Sequence, residues 1–225
     1  KRSNSKMCDL MEQKSKKVVV GVDLDEVLGE FLTNLCSFTS ETYGWKFTVD
    51  DFFSYNFSEV WKITLPETQK VVSAYLSSKC FTDGIPAIPG ARDALESLLD
   101  KFDFYVVTSR QTYITETTKK WIDENFPNIF QDVLLGNHYG LTGVQVSKPE
   151  MCRKVGAEIL IDDAVNYCRE SSKNMNEVYL FDWNLKYKWN RADDSENPKN
   201  MFRLSSWDQM KEKLLEYYDR KRRND

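Results

Sequence analysis

The chain has 225 residues and a formal net charge of -4, and 41% of its residues are hydrophobic and 13% aromatic. This size and composition suffice for one well-packed core and a smaller satellite module. The acidic balance argues against general affinity for nucleic acid. No apolar stretch is long enough to span a membrane, and five scattered cysteines without metal-type spacing suit a reducing compartment. We therefore expect a globular cytoplasmic protein without a membrane partner.

Both ends of the chain are polar and basic. Residues 1–16 contain too few apolar side chains to pack, so we expect a mobile N-terminal arm there. The last residues, 220–225, begin with the run Arg220 to Arg223, which we interpret as a solvated basic tail.

The first predicted strand is the apolar run 18–22, whose lack of polar alternation is typical of a strand covered on both faces. It ends in Asp23, Asp25 and Glu26, three carboxylates that would repel one another in a cleft. A hard divalent cation with oxygen ligands makes such clustering favourable. Residues 27–43 follow helical spacing, and we expect the first turn of this helix to direct free N–H groups toward an anion such as phosphate.

Residues 29–85 are predicted to form a helical cap inserted after the first strand. Much of this segment is rich in aromatic residues, and the sequence Thr64 to Glu67 is typical of a capping box that opens a helix. Phe31, Phe57 and Trp61 are candidates for lining a substrate pocket, although packing within the cap would explain them equally well. Exposed aromatic side chains on the cap would also suit the contact surface of a homodimer.

The remaining core, 17–28 and 86–219, alternates predicted strands with predicted helices. The later strands are expected at 102–107, 133–135, 158–161 and 178–181. The later helices are expected at 91–99, 113–124, 147–156, 164–173 and 207–218. This alternation predicts an α/β fold, a Rossmann-like parallel sheet with helices on both faces.

Polar residues at the ends of the later elements point to one edge of this sheet. Thr108, Ser109 and Arg110 follow the second strand and could recognise phosphate with directional hydrogen bonds. Lys148 lies at a helix start, where lysine is unfavourable unless a negative partner is near. A pair of acids, Asp162 and Asp163, ends the fourth strand. Because ligands of open parallel sheets bind at the carboxyl edge, we expect these groups to converge.

In this order, the motifs at 22–27, 106–109, 147–148 and 160–163 resemble those of the haloacid dehalogenase-like phosphatase superfamily. A single Asp-x-Asp is a weak signal, but the ordered set covers nearly the whole folded length. The cap placement and the Asp162-Asp163 ending look most like the 5'(3')-deoxyribonucleotidase branch, the cytosolic and mitochondrial 5'-nucleotidases. The resemblance implies a phosphatase whose partner is a small phosphorylated metabolite, with a nucleoside 5'-monophosphate favoured as substrate.

The resemblance also implies catalytic roles. Asp23 would attack phosphorus and form an aspartyl-phosphate, while Asp25 would protonate the leaving oxygen and later activate water. Thr108 would hold a phosphoryl oxygen, and Lys148 would neutralise developing charge and keep Asp23 ionised.

The implied cofactor is Mg²⁺, held by the Asp23 carboxylate, the Asp25 backbone carbonyl and an acid of the later pair. Asp163 is favoured as that ligand, with Asp162 as its supporting neighbour. The chain departs from the nucleotidase pattern at two positions, with Glu26 where glycine is common and Arg110 where proline is common.

Three other classes remain compatible with parts of this pattern. A non-catalytic protein with the same fold would bind a phosphorylated metabolite without turnover. A phosphate-accepting receiver domain would carry its phosphorylated aspartate after a later strand, and a glycosyltransferase would use an Asp-x-Asp for a sugar nucleotide. The glycosyltransferase interpretation leaves Thr108, Lys148 and the Asp162-Asp163 pair together unexplained.

Overall fold

A computed structural model describes residues 16–138, 142–191 and 194–224. Within these residues the centre of the molecule is a parallel sheet of six strands in the order β3-β2-β1-β4-β5-β6. The strands are β1 (Val18–Val22), β2 (Phe102–Thr108), β3 (Phe130–Leu135), β4 (Ile159–Asp162), β5 (Glu177–Phe181) and β6 (Met201–Leu204). The predicted α/β parallel sheet is confirmed. The predicted N-terminal arm lies, apart from Lys16, outside the described residues.

The strand order reverses at β1, which lies at the middle of the sheet. β1 pairs with β2 on one side and with β4 on the other, in a register that places Val22 beside Val106 and Ile161. Its carboxyl end therefore adjoins the carboxyl ends of two neighbouring strands at the position where such sheets bind ligands.

The helices are α1 (Phe31–Tyr43), α2 (Phe57–Trp61), α3 (Leu65–Leu76), α4 (Lys79–Thr82), α5 (Ala91–Glu96), α6 (Thr115–Asn125), α7 (Lys148–Val155), α8 (Val165–Ser171) and α9 (Trp207–Asn224). Apolar side chains of the sheet alternate between two buried clusters. Tyr179 and Phe181 belong to the cluster that contains α5 and α9, whereas Val178 and Leu180 belong to the one that contains α7 and α8. Helices therefore cover both faces, as predicted.

The segment between β1 and α5 contributes helices α1 to α4 and no strand to the sheet. It leaves and rejoins the core through isolated bridges that pair Gly29 with Asp25 and with Ala87. Its interior is built from aromatic rings, such as Phe31 against Tyr75 at a centroid distance of 5.2 Å. These rings pack on one another and are continuous with the buried cluster that contains the sheet residues Val20 and Phe104.

Three elements differ from the sequence prediction. The edge strand β6 is absent from the predicted strands and pairs with β5. The first cap helix begins at Phe31, because residues 24–30 form a turn. Residues 220–224 continue α9, in which Arg220 pairs with Glu177 and Lys221 with Glu158, whereas residues 222–224 are exposed. In the described part of the chain, no helix is both long and apolar enough to cross a membrane.

Candidate active site

The carboxyl ends of β1 and β4 bring three aspartates together. Asp23 follows β1, Asp162 ends β4 and Asp163 comes next, and one carboxylate oxygen from each lies within 4.8 Å of the others. All three are buried. The sheet itself holds them there, because the Asp23 N–H donates to the Ile161 carbonyl at 2.9 Å. Sequence positions almost 140 residues apart thus become one acidic cluster, as the strand-end argument predicted.

Lys148 lies between two of these acids. Its Nζ is 2.7 Å from Asp23 Oδ1 and 2.5 Å from Asp162 Oδ2, and its side chain is fully buried. Burial lowers the pKa of Lys148, but the ion pairs with Asp162 and Asp23 outweigh burial and hold that pKa above its ordinary value. The lysine is therefore a fixed positive charge beside Asp23.

One lysine does not neutralise three buried acids. Burial raises the pKa of Asp23 to about 7, against the opposing effect of Lys148. Burial, followed by the charges of Asp162 and Asp23, raises the pKa of Asp163 well above its ordinary value. The protein alone thus makes full ionisation of the cluster unfavourable, and a divalent cation would reverse this.

The hydrogen bonds of these carboxylates show which acids are free to bind a metal ion. Both oxygens of Asp162 are engaged, one by Lys148 and the other by the Ala164 N–H at 2.9 Å. Asp163 instead accepts two hydrogen bonds on Oδ2, and within the described chain Oδ1 has no partner. Asp23 likewise keeps Oδ2 open. The residues present therefore fit a hard cation, with Asp23 and Asp163 as the available carboxylates and Asp162 as support.

Tyr55 and Trp189 orient Asp163, and neither residue is among the site residues predicted from the sequence. The Tyr55 hydroxyl donates to Asp163 Oδ2 at 2.6 Å, and Trp189 Nε1 donates to the same oxygen at 2.7 Å. Tyr55 comes from the cap, whereas Trp189 belongs to the segment between β5 and β6. The aromatic richness of the cap was a sequence signal for Tyr55 alone, and each contact depends on how separate segments pack.

The end of β2 supplies two hydroxyl groups. Thr108 Oγ1 accepts the Arg110 backbone N–H at 3.2 Å, which leaves the threonine O–H free to donate. Ser109 Oγ is buried and has no hydrogen-bond partner within the described residues. An unpartnered buried hydroxyl at this strand end suits an anionic oxygen, because buried polar groups ordinarily find partners.

Arg110 has a different partner from the expected phosphate. Its Nε lies 3.0 Å from Asp25 Oδ2, and its Nη2 lies 2.7 Å from Asp25 Oδ1. Nη1 donates to Thr118 on α6 at 3.2 Å. The fork of the guanidinium is thus directed at Asp25, and a direct contact of Arg110 with substrate stays a prediction.

The N-terminus of the first cap helix is occupied by Glu26 and is not left free for an anion, contrary to the sequence prediction. Glu26 has a φ of +62° and is buried, and its Oε1 accepts the Leu32 N–H of α1 at 2.6 Å. Burial raises the pKa of Glu26 to about 8. The helix end is therefore capped by the chain's own carboxyl group, and Glu26 belongs to the turn between core and cap.

The three aromatic candidates in the cap lie mainly within its own packing. Phe31 is buried against Tyr75 and Phe81. Trp61 is buried among Phe52, Phe57 and Trp45. Phe57 is half-buried and also contacts Tyr55 at a centroid distance of 6.1 Å. Of the three, Phe57 is the one that contacts Tyr55, whose hydroxyl hydrogen-bonds to Asp163 in the acidic cluster.

Comparisons with known proteins agree with this geometry. A 5'(3')-deoxyribonucleotidase from Clostridium acetobutylicum is 28% identical over 148 residues, which are 65% of this chain and 73% of that protein. The structure of a predicted phosphatase from the same organism superimposes with a TM-score of 0.64 at 17% identity and covers 90% of this chain and 100% of that one. The structure of a putative HAD-hydrolase from Bacillus subtilis, solved with bound magnesium, superimposes with a TM-score of 0.59 at 14% identity. It covers 89% of this chain and 99% of that one.

Fold and site together define a phosphoric monoester hydrolase of the haloacid dehalogenase-like class. The sequence resolves the family within that class, because a family model described as "5' nucleotidase, deoxy (Pyrimidine), cytosolic type C protein" matches residues 17–216. The chain belongs to this family.

Proposed function

We propose that the chain hydrolyses a (deoxy)nucleoside 5'-monophosphate in a magnesium-dependent reaction that passes through a phosphoryl group bound to Asp23. The observation that carries the proposal is the position of Asp23. It is a buried carboxylate 2.7 Å from the fully buried Lys148, with one oxygen left open at the carboxyl end of the central strand. A nucleophile needs such a fixed, charge-stabilised oxygen.

In the first step an Asp23 oxygen bonds to phosphorus while the bond from phosphorus to the leaving oxygen breaks. Asp25 gives that oxygen its proton, so the nucleoside leaves as an alcohol. In the second step water attacks phosphorus, its proton passes to Asp25, and the bond to Asp23 breaks. The products are the nucleoside and inorganic phosphate, and Asp23 and Asp25 return to their initial states.

Three side chains would bind the phosphoryl oxygens during both steps. Thr108 and Ser109 have O–H groups available to donate, and Lys148 brings a positive charge. Charge that develops on the phosphoryl group is thus met by donors already in place, which is a large source of rate enhancement.

The proposed cofactor is Mg²⁺, which Asp23 and Asp163 would hold with the Asp25 backbone carbonyl, while Asp162 supports Lys148. When bound, the ion would offset the negative charge of the acids and of the substrate phosphate. The preference for Mg²⁺ rests on the all-oxygen donor set.

The proposed substrate rests on the family and on the aromatic surroundings of Asp163. The related Clostridium protein is a 5'(3')-deoxyribonucleotidase. In this chain the Tyr187 and Trp189 rings stack at 4.3 Å, and Tyr55 meets Trp189 edge to face at 5.2 Å. Trp189 is half-buried, so its ring is the part of this aromatic group that could meet a planar base.

Phosphate release from a panel of deoxynucleotides, ribonucleotides and sugar phosphates, with and without Mg²⁺, tests the proposal. We expect Asp23→Asn to lower turnover by at least about 1,000-fold, because the amide is a poor nucleophile. Lys62→Gln, a change at an exposed cap residue, is the matched control. Absence of phosphomonoester hydrolysis by the wild type, or full activity of Asp23→Asn, would overturn it.

A further inference from the structure

Three residues, Asp25, Thr118 and Phe81, hold the Arg110 side chain at the end of β2. Its side chain is almost fully buried, and its guanidinium donates to both oxygens of Asp25 and to Thr118 Oγ1. The guanidinium carbon lies 5.0 Å from the centre of the Phe81 ring, which belongs to the cap helix α4. A guanidinium constrained in this way has one orientation and one principal partner.

That principal partner is Asp25, the proposed proton carrier. Among the acids at this edge, Asp25 is the most exposed, with 21% of its side chain accessible, and Arg110 forms its ion pair. The Asp23 carboxylate and the Asp162 carboxylate are held instead by Lys148. The two basic residues therefore serve different acids.

We propose that Arg110 is a positioning residue that fixes the Asp25 carboxyl group for proton transfer to the leaving oxygen. The inference rests on the proposed function, and it replaces the earlier expectation that Arg110 binds phosphate. A free aspartate side chain samples several rotamers, whereas a two-point hydrogen bond selects one. Arg110 also contacts Phe81 of the cap. The orientation of the Asp25 carboxyl group is therefore fixed when the cap lies against the core.

Two leaving groups separate positioning of Asp25 from binding of phosphate. A nucleoside leaves as an alcohol and needs a proton, whereas p-nitrophenolate is stable without one. The first step is measured in a single turnover with a nucleoside 5'-monophosphate and as the initial burst of p-nitrophenolate from p-nitrophenyl phosphate. For Arg110→Gln we expect a loss of about 100-fold with the nucleotide and less than about 10-fold with the nitrophenyl ester.

Further variants distinguish the remaining explanations. Arg110→Lys keeps the charge but lacks the fork, so it should show the same selective loss, and it remains informative if Arg110→Gln folds poorly. Asp25→Asn combined with Arg110→Gln should be no slower than Asp25→Asn alone, because both changes act through one group. Inhibition by inorganic phosphate should stay within about twofold of wild type, because phosphate binding does not require Asp25.

Equal loss with both esters, together with weaker inhibition by inorganic phosphate, would overturn the inference and return Arg110 to phosphate binding. Unchanged nucleotide turnover in both Arg110 variants would also overturn it. Failure of the proposed function itself looks different, because the wild type would then release no phosphate from any phosphomonoester.

Discussion

Glu26 illustrates how one side chain compensates for an unfavourable backbone. Its φ of +62° lies in the left-handed region, which costs a residue with a Cβ about 1–2 kcal/mol. The carboxyl group offsets part of this cost by accepting the Leu32 N–H at the start of α1. Glycine would adopt this turn freely but would leave the helix end without its cap. The departure from glycine therefore exchanges backbone freedom for a buried hydrogen bond.

Glu26→Gln should change how stability depends on pH. Burial raises the pKa of Glu26 from 4.5 to about 8, so the folded chain favours the protonated acid. Its stabilising contribution is present below about pH 4.5 and is lost as the pH rises through about 8. In metal-free protein, the unfolding free energy of the variant relative to wild type should rise by up to about 1.4 kcal/mol per pH unit across that range.

Urea denaturation at a series of pH values measures this difference. Glu96→Gln is the control, because its carboxylate is 60% exposed and its replacement should leave a flat difference. A flat difference for Glu26→Gln as well would show that its ionisation is not linked to folding.

At the scale of elements, the connection between sheet and cap depends on close packing around Gly29. Gly29 forms isolated β-bridges with Asp25, where the chain leaves the sheet, and with Ala87, where the chain returns to it. A Cβ added there would lie 2.5 Å from Ile85 Cδ1 and 3.0 Å from the Trp121 ring. Trp121 is itself held by the hydrogen bond from Nε1 to the Ile85 carbonyl at 2.8 Å. The two chain segments that connect the sheet to the cap are therefore tightly packed at Gly29.

Gly29→Ala should destabilise the fold by about 1–3 kcal/mol, because the methyl group forces these packed groups apart. Gly44→Ala is the matched control. Its φ is +69° but no atom lies within 4 Å of the added Cβ, so about 1 kcal/mol of backbone strain is expected. Urea denaturation of both variants measures the difference, and equal losses would show that Gly29 is not tightly enclosed.

For the whole molecule, the acidic cluster and the cap are one system. Asp23 is 7% exposed and Lys148 is fully buried, so little of either side chain faces solvent. Tyr55 joins the two parts directly through its hydrogen bond to Asp163. Because Asp163 is also the proposed metal ligand, binding of the cation and docking of the cap share one carboxylate.

Mg²⁺ should therefore stabilise the whole protein. At 100 times its dissociation constant a ligand of the folded state adds about 2.7 kcal/mol, which corresponds to a rise in Tm of roughly 5–10 °C for this size. Asp163→Asn should abolish most of this rise. Tyr55→Phe should weaken Mg²⁺ binding by about 10-fold through loss of a hydrogen bond that orients the ligand.

Thermal unfolding with increasing Mg²⁺, and calorimetric titration, measure both effects. Tyr43→Phe is the control, because Tyr43 is 41% exposed and is not part of the acidic cluster. A rise in Tm as large in Asp163→Asn as in wild type would place the cation elsewhere.

The parts of the site that the sequence predicted share one property, which is that each follows directly from the end of an element. Asp23, Thr108 and Asp163 come at or just after strands, and Lys148 begins a helix. Strand β6 escaped prediction because its four residues lie in a polar, irregular stretch and pair only at the sheet edge. The end of α9 was missed because ion pairs with Glu177 and Glu158, rather than apolar spacing, hold it.

By itself the sequence determined the parallel sheet and the gathering of Asp23, Lys148, Asp162 and Asp163 at one edge. The period of buried strands and their order along the chain are sufficient for those conclusions. Only the tertiary structure decided the partners of individual side chains, such as Arg110 with Asp25 and Tyr55 with Asp163. These pairs are 85 and 108 residues apart, and their geometry depends on how sheet, cap and loops dock, which no local pattern records.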